Sequence, residues 1–115
     1  MSMPPEINAL LARFHKELER IEQEAIKGLK LTRTISEYLS DRVLSETFAF
    51  FNDTLFFVNT QKIRIQIIID KINFLEETID EKIQVLGKEL DDGIDRVLEV
   101  KKIIVNIIHN LKKLK

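Results

Sequence analysis

The chain has 115 residues, 44% of them hydrophobic and 32% charged, and a formal net charge of −1. That length suits one domain, here expected over residues 5–114, and the apolar content is too high for intrinsic disorder. The near-neutral charge gives no general attraction to nucleic acid or an anionic membrane, and the lack of cysteine excludes disulfides and thiolate metal sites.

Pro4 and Pro5 open the chain, where proline suits a first helical turn. Apolar residues then recur at alternating steps of three and four, the period of an amphipathic helix. The first stripe is Ile7, Leu11, Phe14, Leu18, Ile21 and Ala25. Gly28 can close that helix as a left-handed cap, and Thr34 with Glu37 three residues on reads as a capping box opening the next.

The second stripe is Leu44, Phe48, Phe51, Leu55 and Val58, followed by Asn59-Thr60 as a candidate turn. The third runs Ile65, Ile68, Ile72, Leu75, Ile79, Ile83, Leu86 and Leu90. A capping signature recurs inside it at Thr78 and Glu81, where the apolar period does not break. Gly87 and Asp91-Asp92-Gly93 offer a last connection before Val97, Val100, Ile104, Ile107, Leu111 and Leu114.

These signals predict an all-α antiparallel bundle of four helices near 5–27, 34–58, 61–86 and 92–114. If the glycines instead lie inside helices, two long helices form a hairpin that completes a four-helix bundle by dimerising. The average helix length in globular proteins, about 11–12 residues, favours the four shorter helices. A local alternative is a β-hairpin over residues 55–69, because Lys62 to Ile67 alternates polar and apolar residues.

No constellation for catalysis, cofactor or metal emerges, and an enzyme is not expected. His15 and Glu19 share a helix face at i, i+4, but zinc needs three or four ligands. His109 reads as a boundary residue near a helix C-terminus. Neither histidine has a glutamate three residues before it, as di-iron bundles require. Asp91-Asp92-Gly93-Ile94-Asp95 resembles a calcium loop only superficially, since the twelfth position from Asp91 is Lys102. The three glycines are too scattered for a phosphate loop.

Five of the seven phenylalanines fall between Phe48 and Phe57, and they do not share a face. Phe50 and Phe57, joined by Val43, project away from the stripe that holds Phe48 and Phe51. Ile63, Ile67 and Phe74 similarly lie nearly opposite Ile68, Ile72 and Leu75. Val43, Phe50, Phe57, Ile63, Ile67 and Phe74 are therefore the expected interface, because large exposed apolar patches are uncommon on soluble monomers. The competing reading makes them flanks of a broad core stripe.

Nine acidic residues crowd positions 76–99 against Lys82, Lys88 and Arg96, whereas residues 100–115 carry five lysines and no acid. The lysines suit a helix C-terminus, and the two segments could also pair between subunits. The expected function is oligomerisation or protein interaction, most economically as a two-fold homodimer. A peripheral-membrane or nucleic-acid-binding module is the alternative, although the basic tail lacks interleaved aromatics and arginines. With neither a secretory signal nor an 18-residue apolar run in the sequence, a cytoplasmic location is expected.

Overall fold

The computed structural model describes residues 3–37, 42–74 and 80–114. They form three long helices, α1 (Pro5–Ser36), α2 (Arg42–Asn73) and α3 (Asp80–Leu114). The bundle is all-α and elongated, 60 × 18 × 17 Å. A 35-residue helix rises about 52 Å at 1.5 Å per residue, so helix length sets the long axis.

Contacts between helices give the direction of each. Phe51 of α2 meets Gly28 of α1, and Lys62 Nζ reaches Glu22 Oε2 at 2.9 Å, so α2 runs antiparallel to α1. Phe14 meets Gly93, and Lys101 Nζ reaches Glu17 Oε2 at 3.3 Å, so α3 runs parallel to α1. The core is one apolar seam, with Phe14, Leu18, Ile21, Phe51, Val58, Ile65, Leu90, Ile94, Val97 and Ile104 essentially inaccessible to water.

The helix count and boundaries differ from the four-helix expectation. Gly28 and Gly93 lie inside helices and take no left-handed conformation. Each is a recess. A Cβ at Gly28 would clash with the tip of the Phe51 ring, and one at Gly93 with the edge of the Phe14 ring. Glycine here lets two backbones approach across an aromatic ring, and the packing outweighs the roughly 0.5–1 kcal/mol that glycine costs a helix interior.

The expected capping residues are also helical. The Thr34 hydroxyl donates to the Lys30 carbonyl at 3.0 Å, and that of Thr60 donates to the Phe56 carbonyl at 3.1 Å. A threonine that bonds back one turn satisfies itself within a continuing helix. Residues 55–69 are accordingly helical throughout, and the β-hairpin alternative is overturned. The two-long-helix alternative falls too, since α1 and α2 are separate antiparallel helices. Leu75 and Ile79 of the third stripe, and Thr78 of the capping signature, lie outside the described residues, and α3 is described from Asp80.

The helix ends follow ordinary dipole and capping chemistry. Pro5 occupies the first position of α1, and the Asn8 amide donates to the Pro4 carbonyl at 3.0 Å. Asp80 and Glu81 stand in the first turn of α3 and Lys112 and Lys113 in its last, each sign complementing the helix dipole.

Candidate interaction surface

Packing is uneven around the bundle. Helix α1 contacts both neighbours extensively, whereas α2 and α3 touch far less. The two glycine recesses explain this, because both draw a neighbour onto α1's axis: Gly28 takes Phe51 from α2, and Phe14 enters Gly93 of α3. Charge follows the same pattern. Glu17, only 7% exposed, binds Arg20 at 3.0 Å within α1 and Lys101 across to α3. Among the described residues no ion pair joins α2 to α3.

The result is a groove between α2 and α3. One portion, about 720 Å³, is lined by Ile67, Phe74, Val85 and Leu86 together with charged residues including Lys71, Lys82 and Glu81. Farther along, Arg64 and Arg96 line a polar depression of about 300 Å³ with Glu89 and Asp92.

The six expected interface residues separate into two groups. Phe50 and Phe57 are partly buried and pack against the core. The Phe50 ring meets Phe51 edge-on, with centroids 5.7 Å apart and planes at 63°, a favourable aromatic arrangement. Val43, Ile63, Ile67 and Phe74 are exposed, Phe74 to 87%.

Phe56 was not among the expected residues, yet it is 75% exposed. At 100° per residue Phe56, Ile63, Ile67 and Phe74 share one strip of α2, roughly 170° from the buried Phe51–Val58–Ile65–Ile72 strip. Their spacing of seven, four and seven is the sequence signal for this strip. A helix break at Asn59-Thr60 hides it, and an unbroken α2 brings it out.

Elsewhere the surface offers little chemistry. His15, Glu19 and His109 are exposed, and among the described residues no group of three His, Asp or Glu side chains could hold a metal ion. One polar atom stands out inside. Gln61 is 3% exposed, and its Oε1 is buried without a hydrogen-bond partner among the described residues. Among those residues no helix is long and apolar enough to cross a membrane. No protein-family model, curated protein or solved structure matches the chain.

Proposed function

We propose that this protein is a non-catalytic helical-bundle interaction module that associates through the outer face of α2. The supporting observation is the strip of Phe56, Ile63, Ile67 and Phe74, exposed by 75%, 64%, 49% and 87%. Burying each such side chain is worth about 1.5–3 kcal/mol, which gives a partner a strong reason to cover them. Exposed apolar side chains scattered singly, such as Ile103 and Val105 on α3, require no such account.

A second reading is peripheral contact with an anionic membrane, favoured by Arg64 and Lys71 beside the strip. Asp53 and Asp70 stand near the same strip and oppose that contact, so protein association is the better reading. Liposome flotation separates the two.

The module reading is tested by comparing wild type with Phe56→Glu and Phe74→Glu, both in sizing of the pure protein and in quantitative co-purification from cells. Association with any protein, including itself, should be lost in both variants while the helical spectrum is unchanged. Association indifferent to both substitutions, or absent throughout, overturns the reading.

A further inference from the structure

The outer strip of α2 has a symmetry of its own. Including its polar members, it reads Phe56, Thr60, Ile63, Ile67, Asp70 and Phe74. The steps are four, three, four, three, four, which is the seam of a coiled coil. They are also the same in both directions, centred on Ile65. Ile65 itself is buried in the bundle, 1% exposed, so the centre of the strip lies on the opposite side of the helix from a core residue.

From this we infer that the occupant of the strip is a second copy of the chain, with α2 packed antiparallel against α2 across a two-fold axis at the level of Ile65. The inference rests on the module reading above and specifies its partner. In a two-fold interface, residue i meets j and j meets i. The strip satisfies that condition along its length: Phe56 meets Phe74 of the second copy, Ile63 meets Ile67, and Thr60 meets Asp70.

Charge selects the direction. Parallel, in-register pairing would oppose Asp70 to Asp70 within the seam, and like charges at close range repel. Antiparallel pairing separates the two aspartates by ten residues along the axis, about 15 Å at 1.5 Å per residue. It places each opposite a threonine hydroxyl. Asp70 already accepts a hydrogen bond from Gln66 Nε2 at 3.0 Å, which leaves acceptor capacity for that hydroxyl. The two Arg64 side chains approach each other at the axis, but Glu89 and Asp92 of α3 line the same depression and supply the balancing charge.

Area is sufficient as well. The dimer would cover four phenylalanine rings that are at least 75% exposed in one copy. At about 150–250 Å² per buried aromatic, with four isoleucines added, the total comes within the low end of stable interfaces, about 1,200 Å².

The chain has no cysteine, so disulfide trapping reads this register directly. Thr60→Cys mixed with Asp70→Cys should cross-link into dimers, while each variant alone should not. Light scattering should give twice 13.5 kDa for wild type and 13.5 kDa for Phe56→Glu and Phe74→Glu. Cross-linking by Thr60→Cys alone, or a dimer that neither glutamate disturbs, overturns the antiparallel pairing. A monomeric pure protein overturns the second copy as occupant; the module reading survives that result only if a co-purifying partner is lost in the same two variants.

Discussion

Phe51 and Phe56 stand five residues apart on one helix. The first is inaccessible to water and the second is 75% exposed. Their chemistry is identical, so the difference lies in what the other helices present. Phe51 faces Gly28, whose missing side chain leaves room for the ring. Phe56 lies roughly 170° round α2 from the buried strip, where no recess receives it. A hydrophobic residue marks a need for burial; the shape of its neighbours decides whether the same chain meets that need.

Substitutions at the two faces sharpen this comparison. The largest effect is expected for Phe51→Ala, which opens a cavity in the seam and should cost about 3–5 kcal/mol in denaturant unfolding. Phe56→Ala, measured dilute enough for isolated chains, should cost under about 1 kcal/mol, as exposed substitutions do. Equal losses at the two sites would break the distinction between inner and outer face.

Next come the recesses. Gly28→Ala and Gly93→Ala each push a methyl into an aromatic ring, and overpacking costs about 1–3 kcal/mol. This should exceed the gain in helix propensity, so both melts should fall. A rise in melting temperature for either would show that the rings move aside.

Removing the buried carbonyl oxygen of Gln61 acts in the opposite direction. An unsatisfied buried polar group costs about 1–3 kcal/mol, so Gln61→Leu should stabilise the fold by about 1 kcal/mol, read as a higher denaturant midpoint. A loss of stability would mean that the amide has a role in holding register. The smallest change belongs to Gly87, where a Cβ would meet Ile7 Cδ1 at an ordinary 3.4 Å. Gly87→Ala should therefore gain about 0.5–1 kcal/mol from helix propensity alone, and a drop on thermal melting would contradict that spacing.

Much of the candidate surface was legible before the structure. Ile63, Ile67 and Phe74 lie off the core stripe by period alone, and all three are exposed. Phe50 and Phe57 leave the stripe by period too, but a three-helix core reaches farther round α2 and covers these flanks. A turn at Asn59-Thr60, as the sequence predicts, separates Phe56 from the residues that share its face; the continuous α2 restores the strip.

The sequence by itself determined the all-α class and most of the core. Its period of three and four places Ile7, Leu11, Phe14, Leu18 and Ile21 on one buried face, and Val97, Ile104 and Leu111 on another. Periodicity suffices there because a helix's own geometry carries a residue's direction from one turn to the next. Only the tertiary structure decided where the chain breaks between helices and which apolar residues stay outside. Glycine, asparagine and threonine are consistent with both a break and a continuous helix. The choice at Gly28 and Gly93 depended on aromatic rings contributed by another helix, Phe51 from 23 and Phe14 from 79 residues away in the sequence.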